Sequence, residues 1–368
     1  MIDGPEVTIL GAGIAGLACA LACARTGRSV QVLEQAPALT EIGAGLQIAP
    51  NGGRVLNALG VRPRALESEA VHLIDGRTGR RLIRMPLGPG FRLVHRADLI
   101  AALAEAVRAA GIPVLTGIHV EAVEAASLHR GGGITVPFRR LVGADGARGP
   151  SRTFVAPDHA ARFTGQVAWR AIVPVEDWPR EAQIHVGPGR HLVCYPLRDG
   201  RSLNIVAVEE RAEWTAAGWS QPDDPGRLRA AFADYADPIR QVLDRVEQVH
   251  VWGLMDHGLT PRWSRGPVTL IGDAAHPTLP FLAQGANLAL EDAWTLAQGL
   301  DDPERWEAGR RPRVARALDA AKANAANYHL SGIKARAAHA ALRLADRVRP
   351  QAMAARYAWL YEHDVTGG

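Results

Sequence analysis

A glycine-rich turn close to the start of the sequence limits the folds available to this chain. Residues 7–34 read as a short apolar run, VTIL, then GAGIAG, an apolar helical stretch, and a second apolar run, SVQVLE. Gly11, Gly13 and Gly16 have the spacing G-x-G-x-x-G, whose glycines permit a tight turn, close approach of the backbone to a pyrophosphate and close packing of the helix. Glu34 ends the second run, where a carboxylate can accept hydrogen bonds from an adenosine ribose. The stretch therefore predicts a strand–helix–strand dinucleotide site, with the pyrophosphate at the positive N-terminus of the helix.

Strand-rich sequence interrupts this nucleotide-binding pattern instead of following it. VHLIDGRTGRRLIRM predicts a hairpin, HRADLIAALAEAVRAAG a helix, and QVAWRAIVPV, AQIHV, RHLVCYPL and RSLNIVAV further strands. Beyond residue 285 the periodicity is helical, with Pro312 marking a kink or a new first turn. We predict an α/β fold composed of a Rossmann-like domain (1–70, 96–160 and 263–300), an inserted β-sheet-rich substrate domain (71–95 and 161–262) and C-terminal helices (301–368). The sequence has one G-x-G-x-x-G pattern, so we expect one firmly bound dinucleotide, and we expect any nicotinamide cofactor to bind only transiently.

The composition argues against nucleic-acid, secreted and membrane roles. The formal charge is +4, yet only Lys322 and Lys334 are lysines among 42 basic residues, and the densest arginine stretch follows a helical face. The start MIDGPEVTIL has no basic segment and no uncharged apolar run reaches 18 residues, so we expect neither a signal peptide nor a membrane span, and a cytoplasmic location. Cys19, Cys23 and Cys194 lack metal-binding spacing and are expected to be reduced packing residues. The sequence contains no H-E-x-x-H, C-x-x-C or G-x-S-x-G pattern, so neither a metal site nor a serine hydrolase is predicted.

Two further motifs follow the glycine turn: VGADGARGPSR at 142–152 and LIGDAAHPTLPFLAQGAN at 270–287. The ordered trio resembles the single-component, FAD-dependent aromatic hydroxylases, which have the para-hydroxybenzoate hydroxylase fold, over nearly the whole length. EIGAGLQIAPN, HRADL, WRAIV, HLVCYPL and AQGANLALEDA are most similar to the branch with 3-hydroxybenzoate 6-hydroxylase, 6-hydroxynicotinate 3-monooxygenase and salicylate hydroxylase. The resemblance implies FAD as the bound dinucleotide, with NADH or NADPH as a transient co-substrate.

The resemblance also implies which residues contact the FAD. Arg96 corresponds to the arginine of the family's H-R-x-D-L stretch, and Asp273 to the carboxylate that binds the ribityl chain. Asp145 corresponds to a residue that helps the fold serve both FAD and a transient nicotinamide. The helix start after Gln284 corresponds to N–H groups beneath the pyrimidine edge of the flavin, where reduced flavin carries negative charge. The complete predicted set is Gly11, Gly13, Ala15, Gly16, Glu34, Gln35, Gly45, Arg96, Asp145, Asp273, Gly285, Ala286 and Asn287.

The strand HLVCYPL supplies the predicted catalytic residues. Side chains alternate along a strand, so His191 and Tyr195 share a face roughly 13 Å apart at the backbone, far enough for a planar ring to lie between them. On spacing alone they could equally be half-buried structural groups, whereas the resemblance places them around the substrate ring. The other predicted substrate contacts are Gln47, Arg170, Pro280 and Phe281. Arg170 suits a substrate carboxylate, but its strand position suits a structural ion pair equally well.

Several positions depart from the family pattern, so the substrate is not inherited from any one member. Gly149 stands where the family often has serine, and Pro280 where the hydroxybenzoate enzyme has glutamine. Cys194 replaces a histidine beside Tyr195. Gln47 matches the hydroxybenzoate type, where the hydroxynicotinate enzyme has histidine.

The implied reaction is hydroxylation of a phenolic or N-heteroaromatic acid by O2 through a flavin C4a-hydroperoxide, after NAD(P)H has reduced the FAD. At pH 7 the site must stabilise the anion of a phenol with a pKa near 10 by up to about 4 kcal/mol. His191 is the predicted base or relay for the phenol proton, and Tyr195 is the predicted hydrogen-bonding partner. Two alternatives remain: a flavin-dependent reductase or dehydrogenase of the same fold, and a non-catalytic flavin-binding protein. The protein is expected to be a monomer or a homodimer.

Overall fold

The computed structural model describes residues 4–39, 44–214, 221–349 and 351–367, so the first letters of EIGAGLQIAPN, Glu41–Gly43, lie outside the described residues. Within these ranges the strands are β1 (Val7–Leu10), β2 (Val30–Leu33), β3 (Gly45–Ile48), β4 (Ala65–Glu67), β5 (Ala70–Asp75), β6 (Arg81–Pro86), β7 (Arg92–His95), β8 (Val114–Leu115), β9 (Val120–Val123), β10 (Ser127–Arg130), β11 (Ile134–Pro137), β12 (Arg140–Gly143), β13 (Arg162–Pro174), β14 (Glu181–Gly187), β15 (Arg190–Leu197), β16 (Ser202–Glu210), β17 (Gln221–Asp223), β18 (Val249–Asp256), β19 (Ser264–Arg265) and β20 (Val268–Leu270). The helices are α1 (Ile14–Arg25), α2 (Pro50–Ala58), α3 (Arg96–Ala109), α4 (Pro150–Val155), α5 (Pro225–Ala231), α6 (Asp237–Asp244), α7 (Gly285–Gly299), α8 (Pro303–Tyr328), α9 (Gly332–Val348), α10 (Gln351–Ala355) and α11 (Ala358–Tyr361).

A mainly parallel sheet carries the glycine turn near its centre. Its strand order is β19-β20-β12-β1-β2-β8, and β1 pairs in parallel with both β2 and β12. All four residues of β1 are buried, as expected for a strand covered on both faces. The predicted strand–helix–strand unit is confirmed. Because parallel strands end at the same edge, the turns after β1, β12 and β20 meet there.

The second large sheet contains the strands predicted after Gly165 and the predicted hairpin. Its order among the described residues is β17-β18-β13-β16-β15-β14-β5-β6, and β5 and β6 pair antiparallel. One face packs against α5 and α6, where Leu192 and Cys194 join Phe232 and Leu243 in a buried cluster. Cys194 therefore belongs to the core on the far side from His191 and Tyr195, which the alternation of side chains along β15 requires.

The segment between the glycine turn and the hairpin carries no clear periodic signal in the sequence, yet it forms β3, α2 and β4. Strands β3 and β4 pair with β7 in a small sheet. Strands of three or four residues are too short to give a distinct periodicity, and the glycines of α2 lower its helix propensity. Tertiary packing explains the glycine at position 52. A Cβ there would lie 2.3 Å from Oδ1 of Asn287, so glycine lets α2 approach α7.

The C-terminal region is helical, as predicted, but Pro312 does not begin a new helix. Helix α8 continues through Pro312 from Pro303 to Tyr328, so the predicted first turn at this position is wrong. Pro303 occupies the first turn instead, where the N–H that a proline lacks would have no partner within the helix. None of the helices in the described ranges has the length and apolarity needed to cross a membrane. The segment limits predicted for the domains stay predictions.

Candidate functional site: a cavity between the two large sheets

A cavity of about 390 Å³ lies between the carboxyl edge of the parallel sheet and the free face of the antiparallel sheet. Its volume is within the range of small-molecule sites. The predicted site residues that line it are Gly13, Ala15, Gly45, Gln47, Arg96, Arg170, His191, Tyr195, Asp273, Pro280, Phe281, Gly285 and Ala286. The structure thus brings the cofactor motifs and the predicted substrate residues to one continuous space. Gly11, Gly16, Glu34, Gln35, Asp145 and Asn287 do not line it, and their assignment as cofactor contacts stays a prediction.

The glycine turn forms an open cradle at the start of α1. Gly11 has φ +103° and a Cβ there would lie 2.4 Å from the carbonyl oxygen of Ala144, while a Cβ on Gly16 would lie 1.9 Å from that of Gly11. These two glycines are packing positions. Gly13 differs, because it precedes the first residue of α1, lines the cavity and would carry a Cβ with no tertiary neighbour within 4 Å. The free N–H groups of the helix start therefore face space that suits a pyrophosphate.

Glu34 holds the glycine turn in place. Its carboxylate accepts hydrogen bonds from the N–H groups of Ala12, at 2.7 Å, and Ala36, at 2.8 Å. The side chain of Glu34 is thus bound to the glycine turn. The neighbouring Gln35 is exposed. One lone pair of each carboxylate oxygen is used by these contacts, which leaves acceptor capacity for a ribose.

Asp145 follows β12 and is half-buried beside α4. Burial raises the pKa of its carboxyl group to about 6, although the N–H and hydroxyl of Ser151 both donate to Oδ2, at 2.9 and 2.8 Å. Its Oδ1 is buried without a hydrogen-bond partner among the described residues. The glycine at 149 is explained by the same carboxylate, because a Cβ there would lie 2.0 Å from Cγ of Asp145. Any side chain at position 149 would require the carboxylate of Asp145 to shift.

The motif after β20 forms the floor of the cavity. Asp273 is an exposed carboxylate on the cavity wall, and Ala283 adopts the left-handed conformation, with φ +52°, one residue before the N-cap of α7. Non-glycine residues in this region carry strain and are common at functional sites. A Cβ on Gly285 would lie 2.7 Å from Oγ1 of Thr278, so the first helical residue must be small. The start of α7 thus presents backbone to the cavity without a side chain in front of it.

The side chain of Asn287 is engaged with backbone groups. Its Oδ1 accepts from the N–H of Ala49 at 2.9 Å, and its Nδ2 donates to the carbonyls of Gln47 and Ala283 at 3.0 and 2.9 Å. The buried side chain therefore joins α7 to the strand β3. It fixes the position of Gln47, which does line the cavity.

The antiparallel sheet contributes a wall in which polar groups surround apolar ones. Arg170, Val206 and Val193 are paired in register across β13, β16 and β15, so they share a face. His191 and Tyr195 flank Val193 on β15, and all of these residues line the cavity. Two strand spacings separate Arg170 from Val193, roughly 9–10 Å at the backbone. The prediction that His191 and Tyr195 share a face is confirmed.

Arg170 is a largely buried cation on this wall. Its guanidinium lies 5.1 Å from the ring centre of Trp252, and among the described residues it has no ion-pair partner. Burial lowers the pKa of the guanidinium from its usual value, and Tyr195 and Asp273 oppose this effect. The structural ion pair considered from the sequence is therefore not formed within the described chain.

Tyr195 lies close to Arg170 and to the strand β3. Burial raises the pKa of its phenol well above the usual range, and the charge of Arg170 opposes this only in part. A Cβ on Gly45 would lie 2.5 Å from the tyrosine ring, so the glycine allows β3 to pack against Tyr195. The N–H of Gly45 donates to Oδ1 of Asn204 at 2.6 Å, and Asn204 pairs with Tyr195 across β16 and β15. Gly45 thus links the two halves of the cavity.

His191 is 1% exposed and has aromatic neighbours on several sides. The ring centres of Phe281 and Tyr328 lie 5.5 and 5.1 Å from that of the imidazole. Its Nδ1 lies 2.7 Å from Nε2 of His329. Burial, and then the charge of His329, lowers the pKa of His191 well below its usual value. The lowered pKa favours the neutral form of the imidazole.

The C-terminal helices contribute to the cavity in a way that the sequence motifs do not indicate. Asn324, Tyr328, Met353, Tyr357 and Tyr361 line it. Nδ2 of Asn324 donates to the carbonyl of Phe281 at 3.2 Å, and the hydroxyl of Tyr357 donates to Oδ1 of Asn324 at 2.8 Å. Three tyrosines in a helical region were the available signal, since the whole chain has only five.

Comparison with known proteins gives a family and several similar enzymes. The model of the family described as FAD binding domain matches residues 5–321. The 3-hydroxybenzoate 6-hydroxylase of Polaromonas naphthalenivorans (strain CJ2) is 36% identical, over 86% of this chain and 86% of its own length. The 3-amino-4-hydroxybenzoate 2-monooxygenase PtmB3 of Streptomyces platensis is 34% identical, over 97% of this chain and 96% of its own. A solved salicylate hydroxylase substrate complex shares the fold, with a TM-score of 0.82, 23% identity and coverage of 98% of this chain and 96% of that one.

Proposed function

The chain belongs to the FAD binding domain family, and from that premise we propose that it is an FAD-dependent monooxygenase that hydroxylates a phenolic or N-heteroaromatic acid. NADH or NADPH is the reductant and O2 the source of the oxygen atom. The observation that carries the proposal is the continuity of the cavity, from the glycine turn and the start of α7 to His191, Tyr195 and the cation Arg170. A reaction that takes NAD(P)H from solution is consistent with a cytoplasmic location.

The residues around the glycine turn suit FAD. Gly13 leaves an open cradle at the start of α1 that would hold the pyrophosphate, the carboxylate of Asp273 would bind the ribityl chain, and the N–H groups at the start of α7 would face the flavin. Arg96, on the same wall, completes the proposed set of contacts. When bound, FAD supplies the reductive activation of O2 that delivers one oxygen atom to the substrate ring.

Arg170 is the proposed partner of the substrate carboxylate. A largely buried guanidinium without an ion-pair partner among the described residues is costly to desolvate, and an anionic ligand offsets that cost. A planar carboxylate can also accept two parallel hydrogen bonds from the guanidinium. The proposal therefore favours acidic substrates over neutral phenols.

His191 is the proposed base for the phenol. Because its Nδ1 is engaged with His329, the other ring nitrogen, Nε2, is the one available to a substrate hydroxyl. Transfer of the phenol proton to Nε2 makes the ring electron-rich at its ortho and para carbons, which is the state that attacks an electrophilic oxygen. Tyr195 is a neutral hydrogen-bonding group on the same face, positioned to orient the ring.

Pro280, Phe281 and Leu282 form an apolar turn beside His191. Residues of this kind exclude water from the reacting atoms, which protects a reactive oxygen species from loss as hydrogen peroxide. The turn is anchored from α8, because Asn324 binds the carbonyl of Phe281. We propose that it keeps oxygen transfer coupled to NAD(P)H oxidation.

A panel of phenolic and N-heterocyclic acids tests the proposal. The panel includes 3-hydroxybenzoate, salicylate, 4-hydroxybenzoate and 6-hydroxynicotinate, each with NADH and with NADPH, and pairs 3-hydroxybenzoate with the uncharged 3-hydroxybenzyl alcohol. At least one acid should stimulate NAD(P)H oxidation, consume O2 and give a product heavier by one oxygen atom, with little peroxide released.

Other outcomes of the panel support the alternatives. A product formed without incorporation of oxygen would identify a reductase or dehydrogenase. Bound FAD together with no stimulation by any member of the panel would support a non-catalytic flavin-binding protein.

A further inference from the structure

We propose that His329 and Glu210 continue from His191 as a proton relay that joins the buried cavity to solvent. This inference rests on the proposed function, since it extends the role of His191 as a base. Neither His329 nor Glu210 belongs to the motifs that identify the family, and neither lines the cavity as His191 does.

The first link of the relay is the contact between two imidazoles. Nδ1 of His191 lies 2.7 Å from Nε2 of His329, and the ring centres are 4.9 Å apart. His191 comes from β15, and His329 is the C-terminal cap of α8. The helix C-terminus favours positive charge on His329 while a proton passes.

The second link ends at the surface. Nδ1 of His329 donates to Oε1 of Glu210 at 2.8 Å. The side chain of His329 is 3% exposed, whereas that of Glu210, at the end of β16, is 56% exposed. Two hydrogen bonds therefore connect the enclosed ring of His191 to the carboxylate of Glu210, which lies in solvent.

The carboxylate also sets the tautomers of both rings. When Nδ1 of His329 donates to Glu210, Nε2 of His329 is an acceptor, and Nδ1 of His191 must carry the proton that fills this contact. Nε2 of His191 is then unprotonated. The arrangement leaves the substrate-facing imidazole in the form that accepts a proton.

The groups around the relay supply no competing charge within the described residues. Nε2 of Gln166, from β13, lies 3.4 Å from Nδ1 of His329, a longer contact than that with Glu210, and the N–H of Gly189 donates to the backbone carbonyl of His329. Phe281 and Tyr328 are the other ring neighbours of His191. Burial lowers the pKa of His329, and the hydrogen bond and charge of Glu210 oppose that effect.

The proton transfer balances as three coupled exchanges. The phenol O–H breaks and an N–H forms at Nε2 of His191. The Nδ1–H of His191 passes to Nε2 of His329, and the Nδ1–H of His329 passes to Glu210, which releases it to water. The phenolate stays in the cavity with one negative charge, and no electron moves in these steps.

The test follows ionisation of a phenolic acid in the oxidised holoenzyme, so it does not depend on turnover. The probe is 3-hydroxy-4-nitrobenzoate, whose phenolate absorbs visible light. Stopped-flow mixing at a pH where the free probe is mainly the neutral phenol records the rate at which bound phenolate forms, and phenol red in weak buffer records proton release. A solvent deuterium isotope effect identifies the proton step.

The variants are His329→Gln, Glu210→Gln and Glu210→Asp, with Glu209→Gln as the matched control. Glu209 neighbours Glu210 on β16 but pairs with Arg211 and has no contact with His329. We expect His329→Gln to slow phenolate formation by about 100-fold, the lower end of the range for general acid–base groups, with equilibrium affinity changed less than about twofold. Glu210→Gln should slow it by several-fold, Glu210→Asp should recover most of the rate, and Glu209→Gln should match the parent.

A second measurement examines the relay without any ligand. In the ligand-free holoenzyme, the shared imidazole proton should give a downfield NMR resonance that is lost in His329→Gln and in His191→Gln and shifts in Glu210→Gln. The flavin spectrum and thermal unfolding of each variant show whether it is folded.

Equal rates in the parent, His329→Gln and Glu210→Gln would overturn the relay while leaving His191 as a base. Absence of the shared resonance from the parent would also overturn it. If no panel acid stimulates NAD(P)H oxidation and the probe does not bind, the proposed function fails, and the relay fails with it.

Discussion

Two buried histidines in this molecule have opposite surroundings. His276 and His191 are each 1% exposed. His276 follows the strand β20 in the motif GDAAHP, where an adjacent aspartate and histidine suggest acid–base chemistry. His191 lies on the sheet wall in a sequence without any carboxylate nearby. Their contacts give the two histidines different roles.

His276 is fixed in a cluster of charges away from the cavity. Its Nε2 lies 2.5 Å from Oδ2 of Asp292, which also accepts from the N–H of Gly272. Arg310 binds the other oxygen of Asp292, at 2.8 Å. Burial would raise the pKa of Asp292, but His276 and Arg310 hold it well below its usual range. These contacts therefore fix the position of the His276 ring.

The partner of a buried imidazole thus decides its role more than its burial does. A buried carboxylate with its own arginine keeps a proton where it is, because moving the proton would leave an unpaired buried charge. A second imidazole can accept a proton at one nitrogen and release it from the other. His276 accordingly anchors the turn that carries Asp273, and His191 is the histidine that we propose exchanges protons.

Breaking the charge cluster should have the largest effect on the protein. Asp292→Ala leaves His276 buried without its carboxylate and Arg310 with Glu291 alone, and removal of one partner of a buried ion pair costs about 3–5 kcal/mol. We expect the free energy of unfolding, measured with urea, to fall by that amount. Asp237→Ala removes an exposed pair with Arg240 and should cost less than about 1 kcal/mol. Similar losses in the two variants would contradict the assignment.

The same cluster predicts a pH dependence. The pKa of Asp292 is lower in the folded chain than its unfolded value of about 3.9, so its contribution is complete above that pH and is lost as the pH falls through the folded pKa. The difference in unfolding free energy between the parent and Asp292→Asn should therefore be constant from neutral pH to about pH 5 and shrink below about pH 4.

His191→Ala should instead spare the fold and remove catalysis. Loss of a general base lowers turnover by about 10²- to 10⁴-fold, while the flavin content and the rate of FAD reduction by NAD(P)H should remain near the parent values. The measurement is coupled oxygen transfer to the best acid of the panel, followed across pH. Hydroxylation at the parent rate at every pH would remove His191 from the mechanism.

Local patterns explain which parts of this comparison the sequence can predict. The glycine turn and the alternation of His191 and Tyr195 depend on spacings within a few residues, and both are predictable. The partners that define the two histidines are distant in sequence: His191 and His329 are 138 residues apart, and His329 and Glu210 are 119 apart. No local periodicity encodes such contacts. Tertiary packing creates them when α8 is placed across the sheet.

The same reasoning applies to a residue of the cofactor motifs and to a proline of the C-terminal helices. Asn287 matches a motif, but the approach of α2 to α7, which Gly52 permits, engages its side chain with backbone groups. Pro312 suggests a kink or a new first turn, and the buried ion pairs of Arg310 and Arg313 with Glu291 hold α8 on both sides of it. Neither set of long-range contacts can be predicted from the local sequence.

Arg170→Met tests the proposed contact between Arg170 and the substrate carboxylate. A hydrogen bond to a charged group contributes about 1.5–3 kcal/mol, so KM for the best acid of the panel should rise about 10- to 100-fold. Turnover of an uncharged phenol, such as 3-hydroxybenzyl alcohol, should change little. Arg211→Met is the control, because Arg211 stacks over Trp169 at 5.2 Å and pairs with Glu209 outside the cavity. Equal effects on acid and alcohol would show that Arg170 does not bind the carboxylate.

Tyr195→Phe should have the smallest effect. The phenol is buried and neutral, and a single neutral hydrogen bond to the substrate contributes about 0.5–1.5 kcal/mol, which corresponds to roughly a two- to twelvefold loss in kcat/KM. The pH dependence of turnover should be unchanged, because the proton passes through His191 and not through Tyr195. A pH profile displaced by this substitution would assign the proton to the tyrosine. Because Gly45 packs directly on the ring, Tyr195→Phe keeps that contact, and any loss reports on the hydroxyl alone.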